Sequence, residues 1–194
     1  MGFPGVITMA QHTLSVLVEN SPGVLARVAG LFARRGYNID SLAVGPTENP
    51  TVSRMTIVLN LEGHALDQVS AQLFKLVNVI GIQEMKSGES YQRELLFVKV
   101  KKTAANAAKI TEIATRFNGR VIDEGEGTCT VEAIGMAKDL EALLKELKEF
   151  GLRELVQSGL IAIERGDLTL AERTLTETGV ASSESHSQTE DYQN

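Results

Sequence analysis

A chain of 194 residues, 43% of them hydrophobic, is long enough for one ordinary domain or two small ones, each with its own core. A formal net charge of −6 without a Lys/Arg stripe excludes the electrostatic footprint of a phosphate-backbone reader, and a single cysteine, Cys129, excludes an internal disulfide. No apolar run approaches the roughly 20 residues that cross a bilayer, and MGFPGVITMAQ lacks the basic and apolar regions of a secretory signal, so a cytoplasmic compartment is expected.

Residues 1–11 read as an N-terminal extension, with Met9 as an alternative start. In HTLSVLVE, Leu14, Val16 and Val18 alternate with Thr13, Ser15 and Leu17, the period of a strand, and Leu17 leaves apolar residues on both faces. GVLARVAGLFARR then places Leu25, Val28 and Phe32 on one helical face, with Val24 and Leu31 beside them and Arg27 and Arg34 on another; Gly36 is its C′ residue. YNIDSLAVG and TVSRMTIVLN form a hairpin across PTENP. Leu66, Val69, Leu73 and Leu76 mark a second helix in ALDQVSAQLFKLV, and VIGIQEM is a closing strand. Residues 12–88 therefore read β-α-β-β-α-β.

After KSGES the order recurs over 89–167. YQRELLFVKVK is a strand, and AAKITEIATRF a helix with Ile110, Ile113, Ala114 and Phe117 on one side, ended by Asn118-Gly119. RVIDEGEGTCTVEAIG is a hairpin in which Cys129 serves packing, DLEALLKELKEF a helix, and LRELVQSGLIAIER a closing strand with a bulge at Gly159. Residues 168–194 read as a largely disordered tail, in which LTLAERTL adds at most a short helix of no assigned function. The fold class is α+β: two ferredoxin-like βαββαβ sandwiches in tandem. Their open faces and sheet edges need cover, which predicts at least a homodimer.

Catalytic machinery is not apparent. His12, His64 and His186 are scattered without metal-ligand spacing, EGEGT lacks the third glycine of a phosphate loop, and Asp123, Glu124 and Glu126 form a charge run at a turn. The stretch Asn20-Ser21-Pro22-Gly23 stands apart. With Ser21 as N-cap and Pro22 as N1, the amides of Gly23, Val24 and Leu25 are left unpaired at a helix start, an anion site of carboxylate size. Gly23 lets a ligand approach the backbone, and Asn20 offers a donor and an acceptor. A plain helix start remains the other reading of these residues.

The stretch HTLSVLVENSPGVLARVAGLFARRGYNIDSLAVGPTENPTVSRMTIV, and within it N-x-P-G-V-L, LFARRGYNI, SLAVGPTE and SRMTIV, resembles the ACT domain of the small regulatory subunit of acetohydroxyacid synthase, also called acetolactate synthase. QLFKLVNVI, REL near residue 94 and SGLIAIERG near 160 extend the resemblance over residues 12–167. It implies a non-catalytic partner of the catalytic (large) subunit that raises its activity and confers feedback inhibition by valine or a related branched-chain amino acid. Thiamine diphosphate, magnesium and FAD then belong to the catalytic subunit, and this chain holds no cofactor. By the same resemblance the effector lies in a homodimer between Asn20, Pro22, Gly23, Val24 and Leu25 of one copy and Asn38 and Ile39 of the other. A stand-alone amino-acid sensor acting on another enzyme is the alternative. A DNA-binding regulator would need a basic helix-turn-helix unit, for which fewer than a dozen residues precede the first strand.

Overall fold

The computed structural model describes residues 9–62 and 65–177. The first half runs β1 (Met9–Glu19), α1 (Val24–Arg34), β2 (Ile39–Pro46), β3 (Val52–Glu62), α2 (Ala65–Leu73) and β4 (Val79–Glu84). The second repeats the order as β5 (Ser90–Lys101), α3 (Ala107–Arg116), β6 (Arg120–Glu124), β7 (Thr128–Gly135), α4 (Ala137–Leu147) and β8 (Leu152–Gln157). It then adds β9 (Ile161–Glu164) and α5 (Leu170–Glu177). The sheets are antiparallel, in the orders β2-β3-β1-β4 and β6-β7-β5-β8, which are the two ferredoxin-like sandwiches expected. Because β1 begins at Met9, residues 9–11 belong to the first strand and not to an extension. No helix among the described residues is long and apolar enough to cross a membrane.

Period-two alternation drives one side of each sheet under its helices. Leu14, Val16 and Val18 join Met55, Ile57 and Leu59 beneath Val28 and Phe32 of α1 and Val69 and Leu73 of α2. Leu96, Val98 and Val100 do the same beneath Ile110, Ile113, Leu140 and Leu143. Burial of each such large side chain contributes roughly 1.5–3 kcal/mol. Cys129 lies in this second core, and burial pushes its thiol up.

The first helix of each half stops in the same way. Tyr37 N–H returns to Phe32 O and Gly36 N–H to Ala33 O, with Gly36 at φ 72°. In the second half Gly119 N–H returns to Ala114 O and Asn118 N–H to Thr115 O, with Asn118 at φ 56°. Both are Schellman ends, so the repeat extends to backbone chemistry.

The face of the first sheet away from α1 and α2 is covered within the chain. Ser15, Leu17, Thr56 and Val58 are buried there, and Val58 and Met85 cluster with Leu160 and Ala162 of the second half. Helix α5 lies over β4, where a β-carbon on Gly81 would meet Thr174 Oγ1 at 2.2 Å. The two-sided apolar pattern of β1 thus has an intrachain cause, and a second copy is not needed to explain it.

Two sequence expectations change here. The closing strand is divided in two at the expected bulge around Gly159, with β8 on Leu96–Val100 and β9 on Ser90–Arg93 of the same β5. Three residues back along β5, from Leu96 to Arg93, correspond to four forward on its partner, from Gln157 to Ile161. Between them Ser158 Oγ accepts from Leu95 N–H at 2.9 Å, and Leu160 N–H donates to Ser41 Oγ at 2.8 Å, tying the break to β2. The second change concerns the tail. Residues 170–177 are helical, started by a capping box in which Thr169 N–H donates to Glu172 Oε2 at 2.8 Å and Glu172 N–H to Thr169 Oγ1 at 3.1 Å. Residues 1–8 and 178–194 lie outside the described residues.

Candidate functional site

The corner between β1 and α1 departs from the expected cap. Gly23, not Ser21, is the N-cap, at φ 84° and ψ −6°, and Pro22 precedes the helix instead of opening it. Proline followed by a glycine of positive φ makes a type II turn, closed by Val24 N–H on Ser21 O at 3.5 Å. Val24 therefore offers no free amide, and its side chain is buried in the first core. The amides of Gly23, Leu25 and Ala26 take no acceptor among the described residues, and a β-carbon on Gly23 would meet nothing within 4 Å. An open approach to unpaired N–H groups at the positive end of a helix suits a carboxylate. Leu25, 44% exposed, supplies an apolar surface next to it.

Asn20 is held by the 47–52 loop. Its amide donates to Thr51 O at 2.7 Å and its Nδ2 to Pro50 O at 2.9 Å, leaving Oδ1 as an acceptor. Asn49 Oδ1 in turn fixes Thr51, accepting from its N–H at 3.0 Å and its hydroxyl at 2.8 Å. On the other side Arg27 Nη1 donates to Asn78 Oδ1 at 2.6 Å, and Asn78 Nδ2 donates to Glu19 Oε2. Sequence reading gave Asn78, Arg27 and Ala26 no role at the corner. The only local signal for Asn78 is an amide between two valines in LVNVI; its partner Glu19 is 59 residues away.

Asn38 and Ile39 stand elsewhere. Asn38 Nδ2 donates to Asp40 Oδ1 at 2.7 Å, and Asn60 Nδ2 donates to the other oxygen of the same carboxylate. These three residues line an open hollow of about 700 Å³ with Tyr37, Glu62 and Gln68. Ile39 packs its side chain against the first core, so only its backbone is free to meet a ligand. Register fixes the distance to the corner. Ile39 pairs with Leu59 and Leu59 with His12, eight residues from Asn20, or about 27 Å along the strand at about 3.4 Å per residue. One chain does not bring the two sets together.

No group of three or more His, Cys, Asp or Glu residues among the described residues is placed to hold a metal ion. His12 Nδ1 lies 2.7 Å from Glu84 Oε1 beside a hollow of about 380 Å³ between the halves, whose wall includes Lys86 and Lys138. The Asp123-to-Gly127 turn is closed by Gly125 N–H on Thr128 O, and Glu124 pairs with Lys102 at 2.7 Å.

Comparison with known proteins covers both halves. Residues 14–81 match the family model described as the AHAS small subunit-like ACT domain, and residues 93–166 the model for the small subunit of acetolactate synthase. The chain is 51% identical over 161 residues to the acetolactate synthase small subunit of Mycobacterium leprae, covering 83% of this chain and 95% of that one. It is 39% identical over 160 residues to a probable acetolactate synthase small subunit of Methanothermobacter thermautotrophicus, covering 82% and 95%. The crystal structure of the acetolactate synthase small subunit from Thermotoga maritima superposes with a TM-score of 0.75 at 31% identity, over 82% of this chain and 99% of that one. Tandem ferredoxin-like domains, the N-S-P-G corner and these matches agree: the chain belongs to the family of acetolactate synthase small subunits, the non-catalytic regulatory subunits of that transferase.

Proposed function

We propose that this subunit binds a branched-chain amino acid between two copies of itself and thereby lowers the activity it otherwise confers on the catalytic subunit. The observation that carries this reading is the pair of unpaired amides, Leu25 and Ala26, beside the open φ 84° glycine at the start of α1. They donate to the carboxylate, Asn20 Oδ1 accepts from the ammonium group, and Leu25 meets the aliphatic side chain.

Strand geometry supports completion by a second copy. β2 is an edge strand with β3 as its neighbour. A two-fold axis beside β2 pairs it with its equivalent antiparallel, so that each strand begins where the other ends. β2 ends with Pro46 opposite Ser53, which is itself opposite Val18, two residues from Asn20. The start of β2, with Asn38 and Ile39, thus comes to the end of the partner sheet that carries the corner.

Effector and catalytic subunit are then linked. The amino acid favours a dimer conformation that couples poorly to the enzyme, and coupling of about 1–3 kcal/mol gives strong but incomplete inhibition. Thiamine diphosphate, magnesium and FAD stay with the catalytic subunit, and the compartment on this reading is the cytoplasm. Family membership favours this over a stand-alone sensor of another enzyme.

Calorimetry of the purified chain against valine, leucine and isoleucine, beside inhibition of the reconstituted enzyme, tests the reading. Saturable binding of at least one of the three with matching inhibition is expected. Absence of binding by all three at millimolar concentration overturns it.

A further inference from the structure

The two sides of β5 have different surroundings. Its even-numbered residues turn inward: Ser90 and Glu94 are buried, and Leu96, Val98 and Val100 enter the second core. Its odd-numbered residues, among them Tyr91, Leu95 and Phe97, face the other way, and Tyr91 is 52% exposed.

Pairing extends that outer side across the neighbouring strands, because residues opposite each other in an antiparallel pair project to the same face. Ile163 is opposite Tyr91 and Ile161 opposite Arg93, while Val156 is opposite Phe97 and Ile134 opposite Leu95. These four aliphatic residues are all more than half exposed. Single exposed apolar side chains need no explanation, but a contiguous set on one sheet face marks an interaction surface. At one end the face dips into an apolar hollow of about 300 Å³ between Tyr91, Arg93, Ile161 and Ile163.

Charge selects the occupant. Along the rest of the face Lys99 is paired with Glu154 at 3.6 Å and Arg120 with Glu132 at 2.8 Å. At the hollow the cations are Arg93 and Arg165, neither with a carboxylate partner among the described residues, and Arg165 stacks on the Tyr91 ring at 4.3 Å. A second copy seated two-fold on this end would bring guanidinium groups toward guanidinium groups, which disfavours self-pairing. A surface with a protruding apolar side chain flanked by carboxylates fits both the hollow and the charge, and tyrosine with arginine is the chemistry of interface anchors.

We propose that this outer face of β5, β8 and β9 docks the catalytic subunit, with the Tyr91–Ile161–Ile163 hollow as its anchor and Arg93 and Arg165 taking carboxylates at the rim. The inference rests on the family partnership and is independent of where the effector binds.

The test titrates the full chain, wild type and the variants Ile161→Asp, Ile163→Ser and Arg165→Glu, into the catalytic subunit and reads activation and direct binding. Half-maximal activation is expected to need roughly tenfold more variant, or higher still, with Arg165→Glu also flattening the salt dependence. Far-ultraviolet dichroism, sedimentation and valine binding of the isolated chain should be unchanged. Ile163→Ser, a milder change at an exposed site, keeps the test decisive should Ile161→Asp fold poorly. Unaltered titration by the folded variants overturns the proposal, and so does loss of self-association, which would make the face a contact between copies.

Discussion

Gly159 stands against the Leu42–Ala43 peptide so closely that a β-carbon on it would lie 2.2 Å from the Leu42 oxygen and 2.8 Å from the Ala43 nitrogen. The second domain therefore rests its strand break on β2, the strand that begins with Ile39 of the proposed effector site. Gly159→Ala is expected to push this seam apart and to cost about 1–3 kcal/mol, as over-packing does. Denaturant unfolding measures it. An unchanged midpoint would show that residues 158–160 yield freely.

Mixed dimers test whether Asn20 and Asn38 serve one site from different copies. Asn20→Ala and Asn38→Ala should each weaken effector binding while leaving activation intact, since losing a hydrogen bond to a charged group costs roughly 1.5–3 kcal/mol. Mixing the two variants creates dimers in which one of the two sites has both asparagines intact. Calorimetry should then recover high-affinity binding at about half the sites of that mixed species. No recovery would place both residues in one copy's site, or in none.

At Gly23 two substitutions separate strain from charge. Gly23→Ala places a side chain at φ 84° and should cost roughly 1–2 kcal/mol, although its β-carbon meets nothing. Gly23→Asp, by contrast, puts a carboxylate where an N-cap side chain accepts from the second and third helical amides, here Leu25 and Ala26. The variant is expected to fold, to activate the catalytic subunit and to ignore valine, because its own side chain takes the effector's donors. Retained valine inhibition would rule out these amides as the carboxylate site.

Acid should loosen α5 before the sheets. Hydrogen bonds from the Thr169 N–H and hydroxyl hold the Glu172 carboxyl below its ordinary range. A carboxyl lowered in the folded state adds stability above its unfolded value, and that stability is lost as pH falls through the folded value. Protection of the 170–177 amides against exchange, taken relative to the intrinsic rate at each pH, should therefore fall on acidification below the ordinary glutamate range. Glu172→Gln should blunt this dependence.

Much of the architecture was legible because it is written locally. Alternation in HTLSVLVE, three-and-four spacing in both amphipathic helices, and the stop signals Gly36 and Asn118-Gly119 each report on neighbouring backbone. The corner is only partly legible, because Ser21-Pro22 is a good N-cap and N1 pair and only the glycine that follows converts it to a type II turn. Asn78 carries no local signal of this kind, because its partners Glu19 and Arg27 lie 59 and 51 residues away. Helix α5 is hard to read from sequence because eight largely polar residues have little helical stability alone, and what receives them is the bare backbone at Gly81.

The two sequence repeats meet at Gly88, in a tight turn with φ 88°, the place a protein engineer would cut. Four residues further on, the chain is still part of the first domain's cover: Gln92 Nε2 donates to Met85 O at 2.9 Å, and Ala162, opposite Gln92, packs with Val58. A fragment ending at residue 88 would bare Ser15, Leu17, Thr56, Val58 and Met85 to water and should aggregate unless another protein lends it a strand. The border between the repeats is one of sequence, and the first repeat needs residues of the second to keep the outer face of its sheet dry.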